Sequence, residues 1–290
     1  MVKHTPKEAL IVQKYLIPNA IRKNRPTVIV EGEFDARTIS KFCKTKSIDI
    51  DPLDMADSND KKGDLIKLVQ QWPNQSVVIG IVDADYDGIL QDMYDYANLL
   101  PYGENIFDTS PFTDMNILLI SDLKLEKYLL SENLSANGIS NVISIVEWFG
   151  VLRILKKRYE YKNNCRVHIP LSELRKRIVQ SRIEPPQTIE VFSKKLEEIS
   201  PHNTKRFFDD IRKFNRLEKV LSRFANEGIE FRRYINGHDL SSMMKLFGAK
   251  GRQRHIEERL ISRAKFEELK EVKLFTQLKE WGSQHSIEIF

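Results

Sequence analysis

Cysteine is scarce in this chain of 290 residues, and no long apolar run is present. Only Cys43 and Cys165 occur, and no cysteine pair has metal-ligand spacing, which excludes a disulfide scaffold and a zinc finger. No apolar run approaches the ~20 residues that span a bilayer, and residues 1–7 lack the apolar core of a signal peptide. We therefore expect a reduced, cytoplasmic protein that does not enter a membrane.

Several motifs that identify common function classes are also missing. The sequence contains no Walker A motif, no RNP-type strand signature, no internal repeat and no low-complexity tract. Any ATP hydrolysis linked to the function of this protein is therefore expected to be carried out by another protein.

The charge is distributed unevenly along the chain. Residues 1–150 contain 15 lysines and arginines against 22 acidic residues, whereas residues 151–290 contain 31 against 19, which gives the net charge of +5. An acidic front half joined to a basic back half suits a polyanionic substrate, so nucleic acid is a predicted partner. The alternative is that the basic half is only a well-solvated helical surface.

Two short acidic stretches each follow a run of β-branched apolar residues. The first, EGEFD, begins at Glu31 and follows Val28–Val30; the second, DADYDG, begins at Asp83 and follows Val77–Val82. Continuous apolar runs predict strands buried on both faces, as in a parallel sheet. Functional groups in such sheets collect beyond the carboxyl ends of the strands. We therefore expect the two acidic stretches to lie side by side.

These carboxylates predict a divalent cation, because so many cannot stay ionised together without a compensating charge. Mg²⁺ or Mn²⁺ is favoured, since hard ions prefer oxygen ligands. Asp83 and Asp85 are two residues apart, so on an extended backbone both would point the same way. Asp87 continues that period as a third ligand, and Glu31 faces the set from the adjacent strand. The alternative is that Asp83 and Asp85 are merely turn residues after a strand.

The order of elements predicts an α/β fold with a parallel, doubly wound sheet. After a leading helix within residues 6–23, strands at Thr27–Val30, Ile48–Asp51 and Val77–Val82 alternate with amphipathic helices. The pattern then predicts a loop over Pro101–Pro111, a fourth strand over Asn116–Ser121 and a helix over Leu123–Leu130. Only helices are predicted beyond it: Val142–Tyr161, Leu171–Arg182, Ile189–Ile199, Thr204–Ala225, His238–Phe247, Arg254–Leu260 and Phe266–Trp281.

A strand that ends in Glu-Gly-x-x-Asp, then a βα unit, then a strand that ends in Asp-x-Asp resembles the TOPRIM domain of primases, topoisomerases and overcoming-lysogenization-defect nucleases. The segments Asn116–Leu130, Ile235–Leu240 and Leu269–Trp281 are similar to the bacterial TOPRIM family that includes AriB, the effector nuclease of the PARIS anti-phage system. The resemblance implies a TOPRIM (Rossmann-like) α/β domain over residues 1–132 and a basic α-helical C-terminal domain over residues 133–290.

The same resemblance implies roles for two glutamates. Glu31 matches the TOPRIM glutamate that acts as general acid/base or shares a second metal ion, while Asp83 and Asp85 hold the first ion. Glu126, on the helix after the predicted fourth strand, would be an outer metal ligand. The alternative for Glu126 is an ordinary surface charge.

Two further groups of residues are candidates for the site or its substrate. His238 and Asp239 follow Gly237 and form a possible second cluster, where the histidine would contact a scissile phosphate or steady a leaving group. Alternatively, Asn236 or Asp239 caps the next helix and His238 is structural. The best basic cluster for contact with nucleic acid consists of Arg153, Lys156, Lys157, Arg158, Arg175, Lys176 and Arg177.

These observations together predict a Mg²⁺-dependent TOPRIM endonuclease. The family likeness implies a toxin effector of anti-phage defence that cleaves host RNA such as tRNA, is held inactive by an ABC-type ATPase and dimerises on release. The residues alone do not separate RNA from DNA. The alternative function is a non-catalytic nucleic-acid or protein binding module whose carboxylates hold a structural ion. Topoisomerase or primase chemistry ranks last, because 290 residues scarcely accommodate a cleavage domain.

Overall fold

The computed structural model describes most of the chain. It covers residues 26–44, 46–53, 60–70, 78–94, 96, 99–120, 125–169, 171, 174–175, 202–213 and 215–290. The predicted helices within residues 6–23 and 189–199, and the predicted basic contacts Lys176 and Arg177, lie outside these residues.

Four parallel strands form one sheet in the order β2-β1-β3-β4. They are β1 Thr27–Val30, β2 Asp49–Pro52, β3 Val78–Val82 and β4 Ile106–Asp108. Every residue of the central strands β1 and β3 is buried, as the continuous apolar runs predicted. The edge strand β2 is half-buried and ends in Pro52, at an edge where its missing N–H breaks no ladder. The α/β class and the parallel sheet are confirmed.

Twelve α-helices have both ends within the described residues. They are α1 Glu33–Phe42, α2 Lys61–Gln70, α3 Asp87–Tyr94, α4 Met115–Ile120, α5 Leu125–Ser131, α6 Ala136–Asn163, α7 His202–Lys213, α8 Arg216–Asn226, α9 Gly237–Leu246, α10 Gln253–Arg263, α11 Phe266–Leu269 and α12 Lys273–Gln284. A short 3₁₀ turn lies at Phe231–Arg233, and the helical character predicted for the C-terminal region is confirmed.

The first of two compact units contains the whole sheet. It comprises Met1–Asp83, Asn98–Thr109 and Lys265–Phe290. Helix α2 packs Leu65 and Leu68 against the sheet. From the end of the chain, α12 brings the Phe275 ring edge-on to Phe42 at 5.6 Å. The core of this unit is therefore built from three separated stretches of the chain.

The second unit is helical and comprises Ala84–Ala97 and Ser110–Ala264. Its longest helix, α6, starts at an N-cap where the Ser135 hydroxyl accepts a hydrogen bond of 3.1 Å from the Gly138 N–H. Helices α5, α8 and α9 pack against α6. At Gly150 a Cβ atom would fall 2.0 Å from the Tyr234 carbonyl oxygen, so only glycine permits this approach. The predicted boundary between residues 132 and 133 falls inside this unit, and the two-domain division stays a prediction.

Helix α6 is long and apolar enough to cross a bilayer, but it is an interior helix. Of its most apolar 18-residue stretch, 61% is buried inside the protein. Val142, Val146 and Phe149 lie on its buried side. This burial is typical of the central helix of a soluble protein.

The prediction of a fourth strand at Asn116–Ser121 is wrong, because residues 115–120 form helix α4. Asp114 caps that helix, since its Oδ1 accepts a hydrogen bond of 3.0 Å from the Ile117 N–H. The fourth strand is β4, which lies within the predicted loop Pro101–Pro111. β4 pairs with β3 through Gly80 and Ile106.

Two other predicted helices are each divided in two. The predicted helix Thr204–Ala225 is α7 and α8, and the break between them contains Asn215 in the left-handed conformation with φ of 46°. The predicted helix Phe266–Trp281 is α11 and α12, with Val272 extended at the start of α12. Asparagine is among the residues that enter the left-handed region at the lowest cost, which explains the first break.

Candidate functional site

The first two site residues, Glu31 and Asp83, meet at the carboxyl ends of the central strands. Val30 of β1 pairs with Ile81 of β3, so the residue after each strand emerges at the same edge of the sheet. There Oε1 of Glu31 accepts a hydrogen bond of 2.8 Å from the backbone N–H of Asp83. Both residues are half-buried. The expected proximity of the two acidic stretches therefore holds for this pair.

The residues Asp85 and Asp87 belong to the second unit, where one lysine pairs with both. The Lys157 ammonium nitrogen lies 2.6 Å from Oδ1 of Asp87 and 3.7 Å from Oδ2 of Asp85. The side chain of Asp87 is only 9% exposed, so this ion pair is shielded from water on the aspartate side. Lys157 supplies positive charge at the place where the sequence predicted a metal ion or a nucleic-acid contact.

The extended backbone on which Asp83 and Asp85 would point the same way is absent. Strand β3 ends at Val82, and Asp85 lies in a turn with φ of 50°. Aspartate, like asparagine, enters this left-handed region at a lower cost than most side chains. The Asp85 N–H donates to the Thr113 carbonyl at 2.6 Å, which fixes the turn.

The contact between Glu31 and Asp83 joins a carboxylate to a backbone N–H, and it is not an all-protein metal cage. Among the residues that the structure describes, no group of three histidine, cysteine, aspartate or glutamate side chains converges as a metal cage. Mg²⁺ does not require one, because it retains several waters and is usually held by one or two carboxylates together with substrate phosphates. Two half-buried carboxylate residues at a sheet edge supply that smaller donor set.

A buried polar cluster in the second unit was missed at the sequence level. Asp114 is 3% exposed and accepts a hydrogen bond of 2.7 Å from the Gly237 N–H. Burial raises the pKa of Asp114 above its ordinary value, and the Gly237 hydrogen bond opposes that rise. Burial likewise raises the pKa of Tyr86, whose hydroxyl makes no hydrogen bond with any residue described. The helix-capping pattern of Asp114 was the available signal, and it was overlooked because a strand was predicted there.

Asp239 is the centre of a buried ion cluster. Its side chain is fully buried, and Arg153 donates two hydrogen bonds to it, of 2.7 and 3.0 Å. Arg175 approaches the same carboxylate at 3.1 Å and also donates to the Ser242 hydroxyl at 2.9 Å. Arg153, Arg175 and Asp239 therefore tie α6, the segment at residue 175 and α9 together.

His238 lies on the surface beside this cluster rather than within it. Asn236 caps α9 by accepting hydrogen bonds from the His238 and Asp239 N–H groups, as the capping alternative proposed. The His238 side chain is 60% exposed, and its Nδ1 lies 3.2 Å from Glu257. The adjoining Gly237 has no room for a side chain, because a Cβ there would fall 2.2 Å from that of Asn116.

The remaining predicted contacts are distributed over the helices of the second unit. Lys156 forms an ion pair of 2.9 Å with Glu160 along α6. The Arg158 guanidinium lies 4.1 Å from the centre of the Tyr94 ring, which is a cation–π contact. Glu126 is exposed on α5. Arg158 is therefore a member of the predicted basic cluster that contacts an aromatic ring rather than a carboxylate.

A comparison with models of known protein families, with curated proteins and with solved structures found no match. The likeness to TOPRIM nucleases therefore depends on the sequence motifs alone.

Proposed function

We propose that this protein is a Mg²⁺-dependent TOPRIM-type endonuclease that cleaves phosphodiester bonds of nucleic acid. The observation that carries the proposal is the contact between Glu31 and Asp83 at the carboxyl ends of adjacent parallel strands. This is the edge where open α/β sheets collect their reactive groups.

The proposed roles follow from the positions of the two side chains. Glu31 and Asp83 would hold the ion, and a divalent ion bound there would neutralise charge on a scissile phosphate and lower the pKa of a bound water. The hydrogen bond from the Asp83 N–H orients the Glu31 carboxylate. Glu31 is thereby held as an acceptor, either for the ion or for a proton. Asp85, Asp87 and Glu126 stay predicted ligands.

The biological setting is proposed from the family likeness alone. It implies a cytoplasmic effector of anti-phage defence that cleaves host RNA such as tRNA and acts as a homodimer. An ABC-type ATPase would be the partner that restrains it. The excess of basic over acidic residues in 151–290 supports a nucleic-acid substrate.

The test uses purified protein, Mg²⁺ and end-labelled RNA and DNA in separate reactions. Wild type is compared with Glu31→Gln and Asp83→Asn, and with Glu33→Gln as a matched control on an exposed neighbour of Glu31. We expect wild type and Glu33→Gln to produce new ends at equal rates. Glu31→Gln and Asp83→Asn should lose about 100-fold or more in rate. Equal cleavage by all four proteins would refute the proposal.

A second candidate function is a non-catalytic binding module. The observation that favours it is Lys157, whose ammonium group pairs with Asp85 and Asp87 and offsets part of their charge. This candidate predicts that nucleic acid is retained by wild type and by Glu31→Gln equally, and that no new ends appear with Mg²⁺ or Mn²⁺. The cleavage assay above distinguishes the two functions directly.

A further inference from the structure

A cleft of about 320 Å³ opens between helices α6 and α7 of the second unit. One wall is a single face of α6, where Leu155, Arg158 and Lys162 recur at intervals of three and four residues and Tyr159 lies beside them. The opposite wall is a face of α7 that carries Arg206 and Phe207. The volume is at the lower end of the range for sites that bind small ligands.

The charge of this α6–α7 cleft is strongly positive. Among the residues that the structure describes, four cationic side chains line it, namely Arg158, Lys162, Arg206 and Arg216, with one carboxylate, Asp210. Arg216 pairs with Asp210 at 2.9 Å, so these two charges largely cancel. The other three cations line the same small concave volume. Such an arrangement attracts an anion with several oxygen atoms, and arginine favours phosphate through its planar fork of donors.

One of these cations is held in place before any ligand arrives. Arg158 stacks over the Tyr94 ring at 4.1 Å, which restricts its side-chain rotamers. A cation that is already positioned loses less conformational entropy on binding than a freely moving lysine. The Arg158 side chain is therefore already positioned at the cleft, unlike an ordinary surface charge that moves freely.

The cleft surface is mostly polar, with a smaller apolar and aromatic part. Leu155, Ile211 and Phe207 line it as buried side chains, and the Phe207 ring lies edge-on to the Tyr159 ring at a centroid distance of 5.4 Å. Tyr159 is half-buried, so it is the aromatic side chain of the lining that keeps exposed surface. A cationic cleft with one partly exposed aromatic ring matches a molecule with a flat ring and an anionic group. A nucleotide has both, whereas an acidic peptide supplies charge without the flat ring.

We propose that the α6–α7 cleft binds one nucleoside phosphate, with the phosphate on Lys162 and Arg206 and the base against Tyr159. Two sources share this chemistry: a nucleotide unit of single-stranded nucleic acid and a free nucleotide. The proposal deepens the proposed nuclease function by naming a substrate-holding site. It is tested separately from that function, because binding to the cleft needs no metal ion.

The experiment measures the affinity of the full chain in EDTA, so that no metal-dependent cleavage occurs. The probes are a fluorescent single-stranded RNA oligonucleotide, AMP and inorganic phosphate. Arg206→Glu and Lys162→Glu are compared with Lys205→Glu, a matched charge reversal at the exposed residue next to Arg206 that does not line the cleft. Circular dichroism checks that each variant is folded.

We expect Arg206→Glu and Lys162→Glu to weaken oligonucleotide binding roughly 10- to 100-fold, as for loss of a charge-assisted contact, and Lys205→Glu to weaken it far less. The salt dependence of binding should fall by about one unit of slope per cation removed. Tyr159→Leu should weaken AMP binding and leave phosphate binding unchanged. Binding of AMP in preference to the oligonucleotide would assign the cleft to a free nucleotide.

The site is overturned if cleft and control variants bind with equal affinity. It is also overturned if an acidic peptide competes for the cleft and AMP does not. Cleavage with Mg²⁺ is measured in parallel. If Arg206→Glu loses binding and none of the proteins cleaves nucleic acid, the cleft is supported and the nuclease function is refuted. If every variant cleaves with the same KM, the nuclease function is supported and the cleft is refuted.

Discussion

The Glu31 carboxylate accepts a hydrogen bond of 2.8 Å from the backbone N–H of Asp83, so the first residue after β1 is tied to the first residue after β3. These two residues are 52 positions apart in the chain, yet the parallel register of β1 and β3 brings them to the same edge. Glu31 therefore has a structural bond as well as a proposed chemical role. Any test of function must separate the two.

Glu31→Gln and Glu31→Ala are expected to separate them. Glutamine keeps an oxygen that accepts the Asp83 hydrogen bond, so its free energy of unfolding should stay close to that of wild type. Alanine leaves the Asp83 N–H without this acceptor and should cost about 1–3 kcal/mol. Urea unfolding measures this difference, and titration calorimetry measures Mg²⁺ uptake. Both variants should lose uptake; retention of uptake by Glu31→Gln would remove Glu31 from the metal site.

Lys157→Met should turn an internally neutralised pair of carboxylates into a cation site. Without the ammonium group, Asp85 and the mostly buried Asp87 repel each other, and the melting temperature should fall. Added Mg²⁺ should then raise the melting temperature more than it does in wild type, because binding to the native state stabilises it. Lys156→Met, which breaks only the i,i+4 pair with Glu160, is the control. An identical Mg²⁺ response in both variants would contradict the prediction.

Protein stability should respond differently when the Asp239 cluster loses its carboxylate and when it loses one of its two arginines. Asp239→Ala leaves Arg153 and Arg175 facing each other and should cost about 3–5 kcal/mol of unfolding free energy. Arg175→Met should cost less, because Arg153 still grips the carboxylate with two hydrogen bonds. Denaturant unfolding monitored by circular dichroism checks the order. A larger loss in Arg175→Met would show that its contact with Ser242 dominates.

Glu132 should make stability depend on pH in the acid range. Its side chain is 1% exposed and pairs with Arg259 and Arg263 of α10. Although burial acts to raise it, the hydrogen bonds from these arginines hold the pKa of Glu132 below its ordinary value. The stabilisation is therefore present above the ordinary value of 4.5 and is lost as pH falls through the lower pKa of the folded state.

The test for Glu132 uses the double variant Arg259→Met/Arg263→Met, which leaves the buried carboxylate unpaired and should cost about 3–5 kcal/mol at pH 7. Glu132→Gln should cost about 1–3 kcal/mol, because the two arginines are about one-third exposed and remain hydrated. The gap between wild type and the double variant should shrink as pH falls, first because the unpaired buried carboxyl of the variant takes up a proton and then because Glu132 of wild type does so below 4.5. A gap that is constant with pH would contradict the assignment.

The central sheet could be predicted because its strands carry unambiguous patterns. The runs before Glu31 and Asp83 are apolar throughout, and a parallel sheet buries such strands on both faces. Their adjacency follows from chain order and right-handed crossovers, and it places Glu31 beside Asp83. The fourth strand could not be predicted, since Ile106–Asp108 is too short to show a pattern. All six residues of α4 are buried, so the run has no polar face to reveal a helix.

The partners of the charged side chains could not be predicted from the sequence, for a different reason. Composition showed that residues 151–290 are basic, but not which cations are already neutralised inside the protein. Arg153 pairs with Asp239, 86 positions away, and Lys157 pairs with Asp85 and Asp87 across more than 60 positions. Such pairs depend on helix packing that no local pattern encodes. Arg206 and Arg216 could not be identified from the sequence as residues of one cleft, because that cleft forms only when α7 packs against α6.

The discontinuous first unit has a consequence for how the protein is made. β1 to β4 leave the ribosome early, but Phe275, which covers Phe42, and Ile289, whose carbonyl accepts the Lys44 N–H at 2.6 Å, arrive only after Ala264 has been synthesised. The helical second unit can thus collapse during translation, whereas the first unit is completed only when its last segment has been made. A ribosome stalled before Lys265 would hold a nascent chain that lacks the Phe275 and Ile289 contacts of the first unit.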